Sequence, residues 1–75
     1  MKTAHFISTF EMYDKEESGI KPNTLRVSTP RTDRMVKEAT HISISRGYTD
    51  KSFTREITDK TYWSGYWIIS WNPNY

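Results

Sequence analysis

Two histidines, His5 and His41, are the only imidazoles in the 75-residue chain, and cysteine is absent. A transition-metal site would need both imidazoles plus carboxylates, and no pair of them has a helical or hairpin ligand spacing. Surface or half-buried strand positions are expected for both histidines. The carboxylates concentrate at Glu11, Asp14, Glu16 and Glu17. Acid–base catalysis needs one such group held in a dry pocket, and in so charged a run solvated carboxylates are expected. No serine sits in a strand-to-helix nucleophile elbow. Gly19, Gly47 and Gly65 stand alone, so no phosphate-cradling loop is present. No catalytic, cofactor or metal signature emerges, and the expectation is a non-enzymatic protein that uses no cofactor.

Recognition is the remaining chemistry, and its residue types are concentrated. The stretch Tyr62-Trp63-Ser64-Gly65-Tyr66-Trp67-Ile68-Ile69-Ser70-Trp71-Asn72-Pro73-Asn74-Tyr75 holds all three tryptophans and three of the five tyrosines. From Thr61 onward nothing ionises except the tyrosine phenols. The tryptophans are four apart, which suits a helix face, but strand alternation fits better. The odd positions, Trp63, Gly65, Trp67, Ile69 and Trp71, are apolar or glycine, whereas Tyr62, Ser64, Tyr66, Ile68, Ser70 and Asn72 form a mixed face. Aromatic and β-branched residues favour a pleated surface, and Gly65 reads as a bulge or a gap covered by a neighbouring ring. One strand is therefore predicted over 62–71, stopped by Asn72-Pro73-Asn74. Its odd face belongs to the core, with Trp67 and Ile69 buried. Its even face, with Tyr62, Tyr66 and Ile68, is the candidate partner contact.

Charge is unevenly distributed. Residues 11–20 carry four acids against Lys15, a local net of −3, and residues 21–37 carry Lys21, Arg26, Arg31, Arg34 and Lys37 against Asp33, a local net of +4. Arg31, Arg34 and Lys37 can steer an acidic partner towards the aromatic face. The alternative reading is a single-stranded nucleic-acid-binding domain, with Arg26, Arg31, Arg34, Lys37, Arg46 and Arg55 lining a basic groove beside stacking aromatics. Against it, no Lys or Arg is interleaved with the aromatic strand, as a nucleic-acid-binding sheet requires.

Ala4 to Tyr13 alternates and reads as a first strand, and 14–23 as a charged loop with turn residues Gly19, Pro22 and Asn23. Leu25 to Thr29 reads as a second strand with Leu25 and Val27 inward. Thr29-Pro30 opens a short helix over about 30–39, with Thr29 as cap, Pro30 in the first turn, Asp33 near the dipole's positive end and Met35, Val36 and Ala39 as the buried stripe. One long strand through Val36, Thr40, Ile42 and Ile44 is the competing reading. Thr40 to Tyr48 alternates most clearly, with Ile42, Ile44 and Tyr48 inward. A hairpin loop over 49–52, a return strand over 53–58 bearing Phe53, Arg55 and Ile57 on one face, and a turn over 58–61 then lead into the aromatic strand.

The expected fold is thus a single domain over 1–75, α+β or mainly β: a small antiparallel sheet of four to five strands with one short helix packed on one face. A chain of this size buries only about 60% of its unfolded surface, and the large aromatics compensate. The N-terminus lacks a signal-peptide pattern, no stretch is long enough to span a membrane, and a cytoplasmic location is expected. Three tryptophans and five tyrosines exceed what one sheet face can hide, and Trp, Tyr and Arg dominate interface energies. The expected function is a protein-binding module, of the size that bacteriophages and mobile elements use for small inhibitors of a host protein complex. An edge strand can pair with a partner or with a second copy as a homodimer.

Overall fold

The computed structural model describes residues 2–73. Seven elements follow one another: β1 (Thr3–Ser8), α1 (Phe10–Glu17), β2 (Asn23–Val27), α2 (Pro30–Glu38), β3 (His41–Arg46), β4 (Ser52–Trp63) and β5 (Tyr66–Trp71). The strands form one curled five-stranded sheet in the order β1-β3-β4-β5-β2. The class is α+β, with two helices where one was expected. The sheet is mixed. β1 runs parallel to β3 and the other neighbouring pairs are antiparallel. A parallel pair needs a long crossover, and here α1, β2 and α2 together supply it.

α2 forms where the Thr29-Pro30 signal placed it. The Thr29 hydroxyl accepts from the Thr32 backbone N–H at 3.1 Å, Pro30 occupies the first turn, and Val36 is fully buried. α1 was not foreseen. Thr9 caps it by accepting from the Met12 N–H, and Glu11 and Lys15 pair one turn apart. Its buried residues are Tyr13 and Glu16, three apart and so on one side of the helix. The alternation from Ala4 continues by coincidence into this segment, which is why a strand to Tyr13 and a loop from Asp14 were expected.

β4 is a single strand of 12 residues, and no turn forms at 58–61. Thr58 is a bulge instead, with Ile57 facing Trp71 and Asp59 facing Ser70. The extra residue reverses the parity, so Phe53, Arg55 and Ile57 point to the same side as Lys60 and Tyr62. The N-terminal half of β4 pairs with β3 and its C-terminal half with β5, and the sheet curls about this shared strand. β3 stops at Arg46, and Tyr48 lies in the following loop at 94% exposed rather than inward.

Both helices bury side chains against the same inner face. Tyr13 and Val36 join Ile42, Ile44, Phe53, Trp67, Ile69 and Trp71 in one cluster. Tyr13, Phe53 and Trp71 pack in series as tilted ring pairs at 5.2 and 5.9 Å between centroids. Trp67 and Ile69 are buried as expected. Leu25 and Val27 are not: they point outward, and Thr24 and Arg26 take the inner positions of β2. Among the described residues no helix is long and apolar enough to cross a membrane. Of the Asn72-Pro73-Asn74 stop, Asn74 lies outside the described residues.

Candidate protein-binding surface

The aromatic stretch is a hairpin, not one strand. Ser64 and Gly65 connect β4 to β5 with φ of 51° and 81°. A two-residue type I′ turn demands positive φ at both positions. Trp63 closes against Tyr66, and Tyr62 lies opposite Trp67. The turn exchanges the parities on its two sides. Trp63, expected in the core, stands on the outer face at 67% exposed, and Tyr62 faces inward with Trp67. Tyr62 and Tyr66 therefore do not share a face.

The outer face carries two apolar rows. Val27, Tyr66 and Trp63 lie directly across β2, β5 and β4, and the next row is Leu25, Ile68 and Thr61. Leu25 is 55% and Val27 60% exposed. The third row, Asn23, Ser70 and Asp59, is polar. The same outer face over β1, β3 and the start of β4 presents His5, Ser43, Ser45 and Thr54, with Ile7 at its margin. On this outer face the contiguous apolar rows thus occupy one half, opposite the side on which both helices pack.

Tyr62 contributes from the inner rim. Its ring meets Trp67 edge-on at 5.5 Å, and the Trp67 indole N–H donates to Asp33 on α2 at 2.8 Å. Asp33 also accepts from the Ser28 hydroxyl at 2.6 Å. These two donors, Ser28 foremost, hold the Asp33 carboxyl below the usual carboxylate range. Lys60 on β4 donates to the Lys37 carbonyl at 3.3 Å. The hairpin and α2 are thereby tied together, and Arg31, Arg34 and Lys37 stand exposed on α2. Among the described residues the ion pairs are Lys2–Glu38, Lys15–Glu11, Lys21–Glu16 and Arg46–Asp14, none of which uses these three cations.

The six basic residues proposed for a nucleic-acid groove are dispersed. Arg46 forms a bidentate pair with Asp14 and covers the Phe10 ring at 4.2 Å. Arg55 lies over Phe53 at 4.9 Å, and Arg26 bonds to β1. Only Arg31, Arg34 and Lys37 share an element. His5 and His41 both lie on the outer face of β1 and β3, and among the described residues no three acidic or imidazole groups are placed to hold a metal ion.

No protein-family model, curated protein or solved structure matches this chain.

Three members of the apolar rows, Leu25, Val27 and Trp63, escaped the sequence reading, which had assigned all of them to the core. The available signal for Trp63 was the Ser-Gly dipeptide itself, a turn marker when flanked by alternating apolar residues. Nothing in the sequence of β2 marked its reversed parity, because Leu-Arg-Val reads as an inward apolar pair around an exposed arginine.

Proposed function

We propose that this chain is a non-enzymatic protein-binding module that docks a partner on the outer rows Val27–Tyr66–Trp63 and Leu25–Ile68. Tyr62 lies at its inner rim, and Arg31, Arg34 and Lys37 on α2 add positive charge from the helix side of the molecule. One observation carries the reading: large apolar side chains line one half of a sheet face that has no covering layer, while the other half of that face is polar. Scattered exposed apolar residues are ordinary, but a contiguous patch marks an interaction surface. Trp and Tyr supply most of the contact energy at such patches, and a polar or charged rim surrounds them. The exposed cations favour an acidic partner by speeding encounter. Such a domain acts by occupying a surface of its partner, as a small inhibitor of a host complex does, of the kind encoded by phages and mobile elements.

The test is affinity capture from bacterial lysate with wild-type protein and with the Trp63→Ser/Tyr66→Ser double variant. The expected result is a discrete protein retained by the wild type and lost by the double variant, whose thermal melt is lowered but stays cooperative and above the temperature of the capture. Retention of nucleic acid that elutes steeply with salt supports the single-strand-binding alternative instead. Equal capture of the same protein by both forms refutes the assignment of the surface.

A further inference from the structure

The strand order leaves β1 and β2 as the two edges of the sheet. The curl turns these edges towards one another, and side chains rather than a backbone ladder join them. In β1 the Ser8 carbonyl accepts from Gly47 at 2.8 Å and the Lys2 carbonyl from Thr40 and His41. Even-numbered residues of β1 therefore direct their backbone groups to β3, and Thr3, His5 and Ile7 direct theirs to the open side. In β2 the Pro22 carbonyl accepts from Trp71, and the Ser28 N–H donates to Gly65. The backbone groups of Asn23, Leu25 and Val27 accordingly face the same opening from the other side. Two cations already exploit this. Arg26 Nη1 donates to the Ile7 carbonyl at 3.0 Å, and Lys21 Nζ to the Asn23 carbonyl at 2.8 Å.

At the opening lies a groove of about 370 Å³, lined by Ile7 of β1, Leu25 of β2 and Met12 and Glu16 of α1. Glu16 is only 2% exposed; its Oε1 accepts from the Ser8 hydroxyl at 2.7 Å, and its Oε2 lies 3.7 Å from Lys21 Nζ. Ser8 in turn accepts from Arg26 Nη2 at 2.8 Å. Two cations thus face one carboxylate, a local excess of one positive charge. Burial pushes the Arg26 pKa down, with Glu16 opposing.

We propose that the β1–β2 seam accepts an extended peptide segment of a partner protein, which adds as a strand and places a carboxylate side chain against Arg26 and Lys21. The odd-numbered backbone groups on both sides, apart from the Ile7 and Asn23 carbonyls that Arg26 and Lys21 already hold, supply the ladder for strand addition. Alternate side chains of the segment point inward, where the charge excess selects an acid, and Ile7, Met12 and Leu25 cover its apolar neighbours. The cavity lies at the low end of the roughly 300–1,000 Å³ typical of ligand sites, which suits a few side chains of a strand. This site does not rest on the outer-face reading and shares only Leu25 and Val27 with it.

The probe is an end-capped heptapeptide of alternating valine and threonine with a central glutamate, titrated into the isotope-labelled full chain and followed by backbone amide shifts. A second peptide carries lysine at the centre. The expected result is shifts centred on His5, Ile7, Leu25 and Val27, with the lysine peptide weaker by about tenfold, since like charges are penalised. Leu25→Pro removes an outward N–H without breaking a bond to β5, a tolerated edge position, and should abolish the shifts in a folded protein. Arg26→Gln should erase the preference for glutamate. If Arg26→Gln does not fold, the two peptides on wild type and the Leu25→Pro control decide the matter. Equal binding of both peptides, shifts centred on Trp63 and Tyr66, or no shifts at millimolar peptide each overturn the proposal.

Discussion

Trp63 and Trp67 offer a comparison within one hairpin, because the same residue type stands on opposite faces four positions apart. Truncating Trp67 to alanine removes a side chain that is 9% exposed, belongs to the central cluster, and donates to Asp33. Full burial of a large aromatic covers about 150–250 Å², which at about 25 cal/mol per Å² corresponds to ~4–6 kcal/mol. Trp67 realises nine-tenths of this, in line with the ~3–5 kcal/mol measured for large aromatic truncations. Trp63 is 67% exposed, so Trp63→Ala forfeits about a third, ~1–2 kcal/mol as an upper bound. A domain of this size is stable by only ~4–11 kcal/mol, so Trp67→Ala should bring it to the edge of unfolding at room temperature. Urea titrations followed by circular dichroism at low temperature measure both variants against wild type. A loss at least twice as large for Trp67→Ala as for Trp63→Ala is expected. Equal losses, or the reverse order, would refute the positioning of the Ser64-Gly65 turn and with it the outer face.

Other consequences are sharper in sign than in size. Gly65→Ala meets no atom within 4 Å but must hold φ at +81°, and should lower stability by ~1–2 kcal/mol in a denaturant melt. Gly47→Ala adds to the same strain a contact at 2.6 Å with the Phe10 ring, and should be the more damaging of the two. The acid limb of stability should depend on Asp33. Its carboxyl is held below the ordinary value of 3.8 by Ser28 and Trp67. That stabilisation is complete above the ordinary value and is lost as pH falls through the lower folded value. Trp67→Phe removes one donor and should flatten the loss of melting temperature below about pH 4; an unchanged acid limb would show that the indole does not hold the carboxylate.

Much of the fold was legible because local and long-range preferences agreed. Thr29-Pro30 starts α2, the Ile42–Ile44 alternation makes β3, and Trp67 and Ile69 enter the core on the parity read for them. Two features were hidden by one cause, inserted residues that change parity without changing composition, and a third by distant partners. The Thr58 bulge looks like a turn because Asp and Lys surround it. The Ser64-Gly65 turn looks like strand because apolar residues continue on both sides. Glu16 looked solvated among its charged neighbours, and is buried because Ser8 and Lys21 meet it from elsewhere in the chain. The candidate surface inherited these errors. Tyr66 and Ile68 share an outer face as read, Tyr62 lies on the inner rim, and Trp63, Leu25 and Val27 were assigned inward. Cross-strand placement decides each of these, and it depends on residues far away in sequence.

The central claim is that the apolar half of the outer face, and not its polar half, touches the partner. It is tested most directly by photo-crosslinking in bacterial lysate, with benzoylphenylalanine replacing Trp63 in one protein and Thr54 in another. The account predicts a discrete protein adduct from position 63 and none from position 54. Adducts of the same protein from position 54 alone, or from both positions equally, contradict it.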